Sequence, residues 1–142
     1  MKENFKIFIV DDDSYFSNLY KQHLLNSEYT DVHCFDNGRD CLKNLSLQPD
    51  IIFLDYNMDD MNGFEVLKKI KRYDPNVFIV MISAQEEISI AVNSLKYGSF
   101  DYIIKNNSIC DSIDTVIEKI IMVKEELKKA NPTFIQKILS KF

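Results

Sequence analysis

Cysteine is scarce in this chain and poorly spaced for any structural use. Cys34, Cys41 and Cys110 are odd in number and lack metal-ligand spacing. That excludes a disulfide framework and a structural zinc site, and predicts reduced core thiols in a cytoplasmic protein. Long apolar runs are missing too. No stretch approaches ~18 uncharged apolar residues, the length needed to span a bilayer. The Met1-Lys2-Glu3-Asn4 start has no signal-peptide core, so no membrane insertion is expected. Positive charge is in deficit: 17 Lys and Arg against 22 Asp and Glu leave a net charge of -5. Direct binding to nucleic acid is therefore not expected, because it draws on Lys and Arg against phosphates. Only two histidines occur, His23 on an apolar helix stripe and His33 in a weak strand. Neither repeats nor low-complexity tracts are present. The 142 residues suit one domain, long enough to bury roughly 68–70% of its unfolded surface without staples.

What the chain does have is four apolar runs that each end on reactive or charged chemistry. Phe8-Ile9-Val10 meets Asp11-Asp12, and Ile51-Ile52-Phe53-Leu54 meets Asp55. Val77 to Ile82 meets Ser83, and Tyr102-Ile103-Ile104 meets Lys105. Short uncharged runs of this kind suit strands buried on both faces of a parallel sheet. A further strand is expected at Val32 to Phe35. Between them lie helical patterns: Ser14 to Ser27 with Phe16, Leu19, Tyr20, His23 and Leu24 on one stripe, and a second helix through Cys41, Leu42 and Leu45. A third carries Phe64, Val66, Leu67 and Ile70, a fourth runs from Glu86 to Tyr97 and closes at Gly98, and a fifth holds Ile113, Val116, Ile117, Ile120, Ile121 and Leu127. Asp13 or Ser14 can cap the first helix. Five such βα units predict an α/β fold, a five-stranded parallel sheet doubly wound in the flavodoxin-like manner.

In open sheets of this type the site lies beyond the carboxyl ends of the strands. Asp11, Asp12, Asp55, Ser83 and Lys105 should therefore share one rim. Three carboxylates at close range repel one another, so one is protonated or a cation sits among them. Mg²⁺ is the expected cofactor, since it prefers oxygen ligands and keeps several waters beside one or two carboxylates. No Cys or His is near enough in sequence to favour zinc. A carboxylate beside Mg²⁺ and a lysine can attack phosphorus to form an aspartyl phosphate.

At these residues the chain resembles the receiver domains of two-component response regulators. The resemblance rests on IFIVDDD at 7–13, DIIFLDYNMDDMNGFEVL at 50–67, VFIVMISA at 77–84 and DYIIK at 101–105, and spans roughly residues 4 to 127. It implies that Asp55 is the phospho-acceptor, that Asp11 and Asp12 hold Mg²⁺ with Asp55, and that Asn57 adds its backbone carbonyl. It further implies Ser83 as the hydroxyl that follows the phosphoryl group, Lys105 as the catalytic ammonium and Tyr102 as the aromatic switch. The implied partners are a histidine kinase or phosphotransfer protein and a downstream protein. Such a protein is not an enzyme beyond its own phosphorylation and dephosphorylation. The chain departs from the family at Asp59 and Asn106, where prolines are usual. Without proline the Lys105-Asn106 bond should be trans.

Two other functions compete. A haloacid-dehalogenase-like phosphatase would use Asp11 and Asp13, but its further acidic pair would have to be Asp111 and Asp114, and Asp55 would have no role. An interaction module that is never phosphorylated has no reason to keep all five reactive residues. The expected receiver runs from 4 to 130, which leaves too little chain for an output domain and predicts a stand-alone receiver. Residues 131–142 should form a short extra C-terminal helix: Asn131 suits an N-cap, Pro132 the first position, and Phe134, Ile135, Ile138, Leu139 and Phe142 one face. Burial of that face, on its own domain or in a homodimer, is needed for it to persist.

Overall fold

The computed structural model describes residues 3–84 and 87–130. Five strands form one sheet: β1 (Lys6–Val10), β2 (Asp31–Phe35), β3 (Ile51–Asp55), β4 (Phe78–Ser83) and β5 (Asp101–Ile104). The order is β2-β1-β3-β4-β5 and every pairing is parallel. This is the doubly wound, flavodoxin-like order, with its switch point between β1 and β3. β3 is buried throughout and β4 nearly so, which is why their sequences carry uninterrupted apolar residues instead of an alternating pattern.

The helices are α1 (Ser14–Asn26), α2 (Gly38–Lys43), α3 (Gly63–Tyr73), α4 (Ile88–Lys96) and α5 (Ile109–Lys129). α1 packs on β1 and β2, α2 on the same strands and on α3, α3 on β3, and α4 on β5. Asp13 is the N-cap of α1, its carboxylate accepting the Tyr15 N–H at 2.9 Å. Gly98 follows α4 with φ 107°, as a helix-terminating glycine should. The described residues divide into two compact units, one up to Cys110 and one from Asp111. The first carries the whole sheet and a core of Phe8, Val10, Ile52, Leu54, Ile79 and Met81 under Val66, Leu67 and Ile70 of α3. The second holds most of α5, on which Ile113, Val116, Ile117 and Ile120 are buried at helical spacing.

The five expected strands and the five helices that follow them are present among the described residues, with local differences. α2 ends at Lys43, and Leu45 lies instead in a 3-10 turn (Leu45–Leu47). α4 begins at Ile88, and the Glu86 expected to open it lies outside the described residues. Asp55 and Ser83 are the last residues of their strands instead of the first beyond them. Cys41 is buried as expected, but Cys34 is exposed on the edge strand β2. No cis peptide occurs among the described residues, so the Lys105-Asn106 bond is trans. The tail helix expected over 131–142 lies outside the described residues. No helix among the described residues is long and apolar enough to cross a membrane.

Candidate functional site

The rim at the carboxyl end of the sheet is assembled by strand register. Val10 pairs with Leu54, so Asp11 and Asp55 come next on adjacent strands. Asp55 pairs with Ile82 and Ile82 with Ile103, which sets Lys105 on the same face of the sheet two residues further along. The side chains meet. Lys105 Nζ lies 3.0 Å from Asp11 Oδ2 and 3.3 Å from Asp55 Oδ1. Asp12, exposed, completes a cluster in which the carboxylate oxygens of Asp11, Asp12 and Asp55 lie within 4.8 Å of one another.

Local hydrogen bonds fix each member. Asp11 donates its N–H to Phe35 O at 3.1 Å and takes the Asp13 N–H on Oδ1 at 2.9 Å. The Ser17 hydroxyl donates to Asp11 O at 3.2 Å, tying the first turn of α1 to the end of β1. After Asp55 the Tyr56 N–H donates to Ile82 O, and the Gly63 N–H donates to Tyr56 O, both at 2.9 Å. Gly63 closes the loop against the strand: a Cβ there would stand 2.8 Å from Tyr56 Cα and 3.0 Å from Asp55 O. Asp60 anchors the same loop by accepting the N–H groups of Gly38 and Arg39 at 3.4 and 3.2 Å. The Lys105 N–H donates to Ser83 O at 2.9 Å.

The electrostatics are those of crowded carboxylates. Burial, followed by the charge of Asp11, pushes Asp55 up to about 7, against the pull of Lys105. Burial also raises Asp11. Burial works against the Lys105 ammonium, but Asp11 and Asp55 more than offset it and hold its pKa above the usual lysine value. Three carboxylates facing one ammonium leave negative charge unmatched. Asp11 Oδ2 is buried and has Lys105 Nζ as its partner at 3.0 Å. An oxygen-only donor set with excess negative charge fits a hard divalent cation.

The structure thus brings together Asp11, Asp12, Asp55 and Lys105. Ser83 and Tyr102 stand differently. Register puts Tyr102 opposite Met81, on the sheet face of the α3-side core, where it packs half-buried. Ser83 pairs with Ile104 and belongs to that same face, fully buried. Asn57 is exposed in the loop after β3, and Asp59 is exposed beside it. Asn106 accepts the Ser108 N–H at 2.9 Å on its side chain. Two residues with no role in the sequence reading now border the site. One is Gly63, signalled only by the Asn62-Gly63 pair before a helix. The other is Phe16, read as core, whose ring centroid lies 4.3 Å from Lys105 Nζ.

Comparison with known proteins places this geometry in a family. Residues 7–117 match the response regulator receiver domain. The chain is 32% identical over 101 residues to the chemotaxis protein CheY of Thermotoga maritima, covering 70% of this chain and 84% of that protein. It is 26% identical over 125 residues to the regulatory protein AtoC of Escherichia coli, covering 87% of this chain but only 27% of that longer protein. Among solved structures, the CheY-like response regulator receiver domain protein of Methanospirillum hungatei superposes with a TM-score of 0.78 at 26% identity, covering 87% of this chain and 99% of that one. This chain belongs to the response regulator receiver domain family, the signalling domains of two-component systems.

Proposed function

We propose that this protein is a phosphoacceptor signalling domain that takes a phosphoryl group on Asp55 from a histidine kinase or phosphotransfer protein. The observation that carries this reading is the Asp55 carboxylate, buried at the end of β3 and within 3.3 Å of an ammonium inside a three-carboxylate cluster. An Asp55 oxygen forms the bond to phosphorus while the donor's bond to phosphorus breaks, its electron pair leaving with the donor. Asp11, Asp12, Asp55 and the Asn57 carbonyl would hold Mg²⁺, which when bound neutralises charge on the transferring phosphoryl oxygens. Lys105, 3.3 Å from Asp55 Oδ1, would supply a second positive charge.

Ser83 and Tyr102 are the readout in this reading. Ser83 ends β4, the strand next to that of Asp55, and Tyr102 lies on the neighbouring β5, so a hydroxyl turning toward a phosphoryl group would change what the Tyr102 ring packs against. Lys105 is tied to Ser83 through the backbone bond between them, which supports such coupling. The receiver comprises residues 4–130, works in the cytoplasm and signals through protein contacts. It catalyses only its own phosphorylation and hydrolysis.

The test is intact mass after incubation with acetyl phosphate and Mg²⁺. The wild type should gain one phosphate and Asp55→Asn none, with both folded. A phosphate gained by the variant under the same conditions would remove Asp55 as the acceptor.

A further inference from the structure

We propose that Phe16 is a positioning residue for Lys105, holding its ammonium between Asp11 and Asp55 through a cation–π contact. The inference rests on the reading of Asp55 as phosphoryl acceptor, and adds a residue that the reading does not contain.

Lys105 Nζ has three close neighbours: Asp11 Oδ2 at 3.0 Å, Asp55 Oδ1 at 3.3 Å and the Phe16 ring, whose centroid is 4.3 Å away. The two carboxylates draw the ammonium inward, and the negative face of the ring covers its remaining side. The lysine side chain is 11% exposed, so the contact is largely desolvated, the condition in which cation–π attraction is strongest. A lysine has a long flexible stem and here borders a groove of about 430 Å³ lined by Tyr15, Phe16, Leu19, Asn106, Asn107 and Cys110. Without the ring, the stem is free to swing into that groove and leave the carboxylates.

Phe16 is itself held. The Ser17 N–H donates to Asp13 O at 3.0 Å, and the Ser17 hydroxyl donates to Asp11 O at 3.2 Å. Phe16 meets the Tyr15 ring edge-on at 5.2 Å and the buried Tyr20 ring at 5.9 Å. The segment from Asp11 to Phe16 therefore fixes both an anion and the ring against one lysine. A ring face is also suited to what phosphorylation demands. When Asp55 becomes an acyl phosphate, the ammonium must pivot from a carboxylate oxygen toward phosphoryl oxygens. The attraction persists wherever the ammonium stays over the ring face, so it survives a small pivot there, whereas an aliphatic side chain fills the space without attraction.

The experiment uses the full chain with acetyl phosphate and Mg²⁺, following phosphate incorporation by intact mass. Phe16→Leu and Phe16→Met should slow incorporation about tenfold, the effect of losing one desolvated cation–π contact. Phe16→Tyr, which keeps the ring face, should stay within about twofold of wild type on the same argument. Proton NMR gives a second readout that does not need phosphorylation. The Lys105 ε-methylene protons should be shifted upfield by the ring in wild type and in Phe16→Tyr, and should move downfield in Phe16→Leu. If all variants fold and incorporate phosphate equally, or if the wild-type ε protons show no ring shift, the assignment of Phe16 is overturned while the Asp55 reading stands. If wild type takes no phosphate, the Asp55 reading fails, and the NMR comparison still decides whether Phe16 holds Lys105.

Discussion

Lys105 Nζ stands 3.3 Å from Asp55 Oδ1, across β4 from its own strand. The lysine thus bridges the sheet instead of facing solvent, and it is the nearest positive charge to the proposed acceptor. Replacing it with Gln should preserve much of the side-chain volume and remove the charge. Removal of one preorganised electrostatic group typically costs on the order of a hundredfold to a thousandfold in rate. Lys105→Gln should therefore slow phosphate incorporation by about a hundredfold or more, read from the mass time course at fixed acetyl phosphate. An unchanged rate would mean that the bridge is purely structural.

The stability of the cation-free protein should depend on pH in an unusual direction. The Asp55 carboxyl is raised from 3.8 to about 7 in the folded state, and Asp11 is raised as well. Between those limits the folded state binds more protons than the unfolded one, so this contribution is full below pH 3.8 and is lost as pH rises through about 7. In EDTA, Asp55→Asn should be more stable than wild type at pH 7.5 by on the order of a few kcal/mol, and the gap should close toward pH 4. Denaturant melts of the two proteins across this range would show it. A gap independent of pH would mean that folding does not raise the Asp55 pKa.

Much of this site was legible because each strand's apolar run stops on a charged or reactive residue. Burial on both faces forbids charge inside β3 and β4, so the first polar residue marks the rim. Which residues meet there was less legible. Ser83 and Tyr102 carry the right chemistry, and only the β4–β5 register shows them to be near neighbours, Ser83 opposite Ile104 and Tyr102 opposite Met81. Alternation within one strand is visible in sequence, but the register between distant strands depends on crossovers that leave no local signal. Phe16 shows the same limit. Its place in an apolar helical stripe matches ordinary core packing, and only the fold brings Lys105 over its ring. The exposure of Cys34 follows from β2 being an edge strand, a rank that its short sequence does not reveal.

Asp12 should separate cation binding from folding. It is exposed, whereas Asp11 and Asp55 are buried, so Asp12→Asn removes a cluster oxygen with little effect on packing. A ligand that binds only the folded state raises the melting temperature increasingly as its concentration exceeds Kd. Millimolar Mg²⁺ should therefore raise the wild-type melting temperature, and Asp12→Asn should lose most of that rise while melting at or above wild type in EDTA. Calorimetry with and without Mg²⁺ reads both effects. A wild-type melt indifferent to Mg²⁺ would sink the cation site.

Gly63 should be intolerant of even one methyl group. A Cβ at this position would lie 2.8 Å from Tyr56 Cα, 3.0 Å from Asp55 O and 3.0 Å from Met81 Sδ. The first two are backbone atoms at and just beyond the end of the acceptor strand, and neither can rotate away as a side chain could. Relief requires α3 to withdraw from β3 or the Asp55-Tyr56 peptide to shift. Either movement also disturbs the Gly63 N–H bond to Tyr56 O. Overpacking of this kind typically costs about 1–3 kcal/mol. Gly63→Ala should destabilise the protein by that amount in urea melts, despite the higher helix propensity of alanine at the first position of α3. Its phosphate incorporation should fall as well, because the displaced peptide carries the acceptor carboxylate. Alanine stability equal to or above glycine would show that the loop yields, and that the close approach of α3 to β3 does not set the position of Asp55.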